Sequence, residues 1–313
     1  MTNTSGATVQ TAPAPTRIGP ATFRWGQRTY VMGIVNVTPD SFSGDGLLAA
    51  GAGPLAGDAR SAAQGDRVAA AVELGRRMAD EGADLLDVGG ESTRPGHAPV
   101  ATDEELRRVV PVIAALRAAL PDMPLSVDTT KPQVAAAALD AGADLLNDVW
   151  GTGASDELAR LAAACGVPLV VMHNRAEPRY RDLITEVVAD LAAAIERAVR
   201  LGVPRDGLIV DPGFGFGKTP DQNLAVVRHL AALRILGRPI LLGTSRKSTL
   251  GRVLDLPVAE RLEATLATTA LGIAAGADLL RVHDVRANVR AARISDAIVR
   301  ANWRPEAAQG GPS

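Results

Sequence analysis

Eight short apolar runs in this chain each end in residues able to hydrogen-bond, carry charge or hold an ion. Val31–Val35 runs into Asn36-Val37-Thr38-Pro39-Asp40-Ser41-Phe42-Ser43, and Leu85–Val88 frames Asp87 and leads to Gly89-Gly90-Glu91-Ser92-Thr93-Arg94-Pro95-Gly96. Leu125–Val127 precedes Asp128-Thr129-Thr130-Lys131, and Leu145–Leu146 precedes Asn147-Asp148. Leu169–Met172 precedes His173-Asn174, and Leu208–Val210 precedes Asp211-Pro212-Gly213-Phe214-Gly215-Phe216-Gly217-Lys218. Ile240–Leu242 precedes Gly243-Thr244-Ser245-Arg246-Lys247-Ser248, and Leu279–Val282 carries Arg281 and leads to His283-Asp284. Two chemistries are mixed here. Asp128, Asn147 and Asp211 suit a polar heterocycle, because carboxylates read paired N–H groups and Asn matches a donor–acceptor edge. Arg281, His283, Ser92 and Thr93, with Arg94 and Lys247 nearby, suit an anion, Arg by its planar fork. Together they predict one substrate carrying a nitrogen-rich ring and a phosphate-type leaving group.

Plainer readings compete. A lone strand-end Asp is often a local cap, but capping alone does not account for eight polar ends. His283 is expected at the substrate and His173 behind it, while His97 and His229 read as solvated. Glu91 reads as a loop-orienting residue. Two nucleotide motifs fail. The first glycine of a P-loop falls on Pro212, and the third of Gly-x-Gly-x-x-Gly falls on Lys218. The glycines between 213 and 217 therefore read as places where backbone passes close to a flat ligand.

A repeat shows which elements must carry these groups. Gly82-Ala83-Asp84-Leu85-Leu86 recurs at Gly142-Ala143-Asp144-Leu145-Leu146 and Gly276-Ala277-Asp278-Leu279-Leu280, spaced 60 and then 134 residues apart. These are close to two and four βα units of roughly 30–34 residues. The pattern predicts an α/β chain, a (β/α)8 barrel with its chemistry at the C-terminal strand ends. Amphipathic helices are expected at about 66–81, 103–119, 132–141, 155–165, 182–201, 220–236, 258–275 and 284–301. Gly82, Gly142, Gly166, Gly202 and Gly276 read as helix C′ caps. A short hairpin over 23–30, turning at Gly26, is expected to plug the barrel bottom. Residues 1–20 read as a tail, 21–303 as one barrel and 304–313 as a second tail. The Gly/Ala-rich stretch Gly44–Gly65 is far longer than an ordinary βα loop and is expected to be a mobile part of the mouth.

The chain's 313 residues, 47% hydrophobic, suit one barrel with modest extensions. A net charge of −2 gives no basic footprint for nucleic acid. No apolar run reaches the ~18 residues of a membrane span, and the first 17 residues hold no signal-peptide core. A cytoplasmic enzyme is expected. The single cysteine, Cys165, excludes a disulfide framework and is expected to be a buried structural thiol.

The strand-end segments quoted above, in this order, resemble dihydropteroate synthases over about residues 22–301. The resemblance implies condensation of a dihydropterin pyrophosphate with 4-aminobenzoate (p-aminobenzoate), giving dihydropteroate and pyrophosphate on the route to folate, in a homodimer. It implies that Asp128, Asn147, Asp211 and Lys247 hold the pterin, with Met172 and Phe216 against its ring. Asn36 would ligate Mg²⁺, and Thr93, Arg281 and His283 would hold the pyrophosphate. Arg94, Pro95, Lys247 and Ser248 would form the 4-aminobenzoate pocket. Asp128, Lys247, Arg281 and His283 would carry the catalysis. The first loop departs from the family's usual Ser-Asp-Gly-Gly, reading Ser43-Gly44-Asp45-Gly46. That keeps a catalytically impaired pterin-binding paralogue open, beside a pterin-dependent methyltransferase and a Schiff-base aldolase on Lys247. On the resemblance, the pterin set and the pyrophosphate set are expected to be separable by mutation.

Overall fold

Each copy of the Gly-Ala-Asp-Leu-Leu repeat ends one helix and starts the next strand. The glycines take φ of 97°, 111° and 102°, the left-handed C′ position. The alanine N–H returns to the helix, as Ala83 N does to Met78 O at 2.9 Å. The aspartate then clips the new strand to its neighbour. Asp84 N donates to Val31 O at 2.8 Å while Asp84 Oδ2 accepts Val31 N at 2.8 Å. Asp144 makes the same pair of bonds with Leu125, and Asp278 with Ile240. The repeat therefore sets strand register as well as helix ends.

The computed structural model describes residues 12–38, 57–91, 99–151 and 156–303. Two hairpin strands, β1 (Thr16–Ile18) and β2 (Ala21–Phe23), precede eight barrel strands. These are β3 (Tyr30–Asn36), β4 (Leu85–Gly89), β5 (Leu125–Asp128), β6 (Leu145–Asp148), β7 (Leu169–Met172), β8 (Leu208–Asp211), β9 (Leu241–Leu242) and β10 (Leu279–Val282). All their pairings are parallel, in the order β8-β7-β6-β5-β4-β3-β10-β9. A parallel bridge from Val210 to Ile240 joins β8 to β9 and closes the ring. The outer helices are α1 (Gly57–Asp80), α2 (Thr102–Ala119), α3 (Pro132–Asp140), α4 (Glu157–Cys165), α5 (Leu183–Arg200), α6 (Pro220–Arg228), α7 (Ser248–Leu254), α8 (Leu262–Ala274) and α9 (Val285–Val299). The (β/α)8 barrel expected from the repeat is present.

Alternation along the strands divides two apolar layers. Val31, Val35, Leu86, Val88, Val127, Leu146 and Val171 pack outward with the helices. Met32, Leu85, Leu145, Val170, Ile209, Leu241 and Leu279 fill the lower barrel, capped by Ile18, Phe23, Trp25 and Tyr30. The hairpin does plug the bottom, but it lies earlier than expected. It pairs Thr16–Ile18 with Ala21–Phe23 and turns at Gly19-Pro20, so it begins inside the stretch read as a tail. Residues 23–30 supply the aromatic cluster instead, with Phe23 and Tyr30 ring centroids 4.6 Å apart.

Other boundaries differ for physical reasons. The helix expected over 220–236 breaks at His229 into α6 and a 3₁₀ turn, Leu230–Leu236. The helix expected over 258–275 is a 3₁₀ turn at Val258–Glu260 followed by α8. The two-turn α7 is too short to show a helical period in the sequence. Cys165 is exposed, not buried, because α4 turns its inner face through Leu158 and Ala162 and leaves its last turn outside. Residues 44–56 lie outside the described residues, and Gly57 onward is the start of α1. Among the described residues no helix is long and apolar enough to cross a membrane.

Candidate active site

Parallel register places the polar strand ends side by side. Asn36 lies opposite Gly89, Gly89 opposite Asp128, and Asp128 opposite Asn147. Met172 lies opposite Asp211 across β7 and β8. Period-2 alternation then decides which side chains enter the mouth. Asn147 turns inward, where its Nδ2 donates to Asp87 Oδ2 at 3.1 Å. Its neighbour Asp148 instead caps its own turn, accepting Trp150 N at 2.9 Å.

Arg281 is the centre of the constellation. Its Nε donates to Asp87 Oδ2 at 2.6 Å and an Nη to Asp128 Oδ2 at 2.6 Å. Asp87, Asn147 and Arg281 all stand five residues after a repeat glycine, so one structural phase delivers all three into the barrel. Asp87 is the functional residue that sequence reasoning left out of the site. Its phase in the repeat was the signal. The two sets of groups expected from the sequence are in direct contact, since Arg281 is bonded to Asp128.

Electrostatics follow from burial. Burial pushes the Asp128 carboxyl up to about 7; Arg281 opposes this, but its single charge is shared with Asp87. Burial also works against charge on Arg281, yet Asp87 and Asp128 outweigh it and hold its pKa above the ordinary value. Asp211 is likewise raised by burial, with the Lys247 charge and the Gly213 N–H opposing. The oxygens Asp87 Oδ1 and Asp128 Oδ1 are buried with no hydrogen-bond partner among the described residues. Buried acceptors of this kind are costly unless something donates to them.

Two turns aim the other groups. Arg246 holds a φ of 56°, a conformation costing about 1–3 kcal/mol for a non-glycine. It is braced by two hydrogen bonds donated to the Asp284 carboxylate, at 3.0 and 2.6 Å. The turn sends Lys247 over the mouth, where its ammonium donates to Phe214 O and lies 4.5 Å from the Phe216 ring centroid. Burial pushes Lys247 down to about 8, with Asp211 working the other way. Arg246 is not among the causes of that shift, its guanidinium being paired with Asp284. Ser248, exposed, opens α7 beside it. Ser245 Oγ accepts His283 N at 3.2 Å and lies 3.0 Å from His283 Nδ1. Which of the two donates in the contact with Nδ1 is set by the imidazole tautomer.

His173 is fully buried, as expected of a residue behind the site, and its ring contacts Lys218 and Asp190. His229 is exposed. Glu91 orients its loop as expected: Oε1 accepts Val100 N at 3.1 Å and Oε2 meets Lys131, which also bonds Glu105. Ser92, Thr93, Arg94, Pro95 and His97 lie outside the described residues, as do Pro39–Ser43 and Asp45. The structure thus brings together Asn36, Asp128, Asn147, Met172, Asp211, Phe216, Lys247, Ser248, Arg281 and His283 at one end of the barrel.

Comparison with known proteins agrees with this geometry. Residues 32–283 match the family described as pterin binding enzyme. The chain is 46% identical over 285 residues to the dihydropteroate synthase of Clostridium beijerinckii, covering 91% of this chain and 99% of that protein. It superposes with TM-score 0.80 and 45% identity on the dihydropteroate synthase of Clostridium difficile, determined in the presence of pteroic acid, covering 89% of this chain and 99% of that one. The Yersinia pestis dihydropteroate synthase in a sulfonamide drug complex is similar at TM-score 0.81 and 37% identity, covering 92% of this chain and all of that one (100%).

Proposed function

We infer the chemistry of this mouth from one premise: the chain belongs to the dihydropteroate synthase family of pterin-binding enzymes. It is a transferase that condenses (7,8-dihydropterin-6-yl)methyl diphosphate with 4-aminobenzoate, giving 7,8-dihydropteroate and diphosphate in folate biosynthesis. The observation that carries this reading is the Arg281 guanidinium seated between Asp87 and Asp128, where ring and leaving group would meet.

Asp128, Asn147, Asp211 and Lys247 hold the pterin, with Met172 and Phe216 against its faces. Arg281, His283 and Thr93 hold the diphosphate. Arg94, Pro95, Lys247 and Ser248 line the 4-aminobenzoate pocket. The aryl amine is neutral near pH 7, so it needs no strong base. The methylene C–O bond breaks, the amine nitrogen bonds the same carbon, and the amine loses a proton. Arg281 and the His283 imidazole stabilise charge gathering on the departing diphosphate. Asp128 and Asp211 balance the positive charge spread into the pterin. Asn36 fits Mg²⁺ in kind, since its amide oxygen lies at the mouth beside Gly89 and Asp128, and oxygen donors suit that ion. Among the described residues no group of three His, Cys, Asp or Glu could hold a metal ion. When bound, Mg²⁺ supplies further charge stabilisation to the leaving group. Leu271 on α8 and Ile294 and Ile298 on α9 are exposed on two packed helices, which supports a homodimer across that face. A cytoplasmic location accompanies small phosphorylated substrates.

The direct test is incubation of the protein with both substrates and Mg²⁺. Dihydropteroate should form. Pterin binding without product would identify an impaired paralogue.

Free-enzyme kcat/KM for the pterin substrate should be bell-shaped. Asp128 must be ionised to accept a pterin N–H, so activity rises through about pH 7. Lys247 must be protonated to donate, so activity falls through about pH 8. A flat profile from pH 6 to 9 would remove these two groups from pterin recognition. A simple sulfonamide should compete with 4-aminobenzoate, because Lys247, Phe216 and Ser248 flank one face of the mouth. Normal turnover of 4-aminobenzoate at saturating sulfonamide would contradict that pocket assignment.

A further inference from the structure

The loop from Gly213 to Gly217 is pressed against the end of β7. A Cβ on Gly213 would sit 1.8 Å from His173 O, and one on Gly217 would sit 2.3 Å from Arg175 O. The loop's shape depends on one half-buried cation. Lys218 Nζ donates to His173 Nδ1 at 2.9 Å, to Gly213 O at 3.1 Å and to Phe216 O at 3.1 Å. Among the described residues its hydrogen-bond acceptors are all neutral, an expensive setting for an ammonium. Burial pushes Lys218 down to about 7, and burial with the Lys218 charge pushes His173 down to about 4.

The Asp190 carboxylate beside His173 Nε2 can only accept, which calls for the ring proton on Nε2 and leaves Nδ1 bare to accept from Lys218. That proton faces Asp190 Oδ2 at 3.2 Å, and the Arg175 guanidinium holds the same oxygen at 2.7 Å. Asp190, His173 and Lys218 form a chain of fixed polarity from α5 to the loop. At the far end, Tyr180 OH donates to Gly217 O at 2.8 Å, and a Thr219–Gln222 capping box starts α6. Between these anchors, the carbonyl of Phe216 is held by Lys218 and the carbonyl of Phe214 by Lys247.

We propose that Lys218 is a positioning residue for the condensation. Its ammonium, seated on His173 and on the Gly213 and Phe216 carbonyls, sets the Phe216 ring opposite Lys247. The inference rests on the reading above that Phe216 and Lys247 line the substrate pocket. Its effect is on the pocket wall, not on the bond-breaking groups around Arg281.

Lys218→Met keeps the length of the side chain and removes its donors. It should raise KM for 4-aminobenzoate and Kd for a plain pterin by roughly tenfold, the worth of about one hydrogen bond to a charged group. Turnover at saturation should change much less. In the wild-type protein, ¹⁵N NMR of the His173 ring should show a bare Nδ1 and a protonated Nε2 from pH 6 to 8. That measurement needs no variant to fold. A protonated Nδ1 in the wild type, or unchanged KM and Kd in a folded Lys218→Met enzyme, overturns the proposal. Phe216→Ala separates the two levels. If it leaves KM and Kd unchanged, the pocket reading itself fails. If it raises them while Lys218→Met does not, only the role of Lys218 fails.

Discussion

An Arg281→Ala enzyme is expected to lose turnover by roughly 30- to 1,000-fold, the worth of about 2–4 kcal/mol of charge stabilisation in a water-poor site. It should also bind a plain pterin more weakly, contrary to what the segregated motifs alone imply. The reason is the double pairing of Arg281 with Asp87 and Asp128. Without it, two buried carboxyls share no cation, and breaking such a pairing is strongly destabilising. Asp128, already raised to about 7 by burial, would climb further and be a neutral acid at pH 7. A neutral acid is a poorer acceptor for a pterin N–H. Adding Asp87→Asn should return part of the pterin affinity, because one fewer like charge then faces Asp128. Calorimetric titration of wild type, single and double variants with a pterin lacking diphosphate resolves this. Unchanged pterin affinity in Arg281→Ala would show that the arginine serves the leaving group alone.

How much of this could be read from residues depends on the range of the interaction. The barrel was legible because the Gly-Ala-Asp-Leu-Leu repeat encodes local events: a left-handed cap, a return hydrogen bond and a strand start. Strand ends were legible because β4 to β8 and β10 are short apolar runs that stop at a polar residue. Asp87 was visible as a strand end, yet its partners lie 60 and 194 residues away. Only barrel closure makes them neighbours. Lys218 was hidden for the opposite reason. It ends a motif whose glycines drew attention to a ligand, while its own contacts run backward to His173. The hairpin is hard to place from residues because Gly26 and Gly19 both take positive φ, and only pairing of Thr16 with Phe23 distinguishes the turn from the bend. The exposure of Cys165 is hidden because composition marks a helix as apolar without saying which side of its last turn faces water.

Asp211→Asn should separate recognition from architecture more cleanly than any change at Asp128. One oxygen of Asp211, Oδ1, accepts Gly213 N at 2.6 Å and holds the start of the glycine loop. An asparagine can keep that bond with its own carbonyl oxygen. Its amide group then takes the place of Oδ2, on the side of Gly243 and the barrel mouth. The surface offered to the pterin changes from an acceptor oxygen to a donor, so a pterin N–H meets another N–H. Loss of a charge-assisted bond and the unpaired donor together are worth about 2–4 kcal/mol, or roughly 30- to 1,000-fold in pterin affinity. Thermal stability should hold or rise, since a buried carboxyl raised by desolvation is replaced by a neutral amide. Arg281→Ala differs in kind, because it unpairs two carboxyls and should lower stability. Measured side by side, Asp211→Asn should give weak pterin binding with a sound fold. If it binds pterin within a few-fold of wild type, the carboxylate does not read the ring, and the chemistry assigned to the end of β8 belongs to the loop backbone instead.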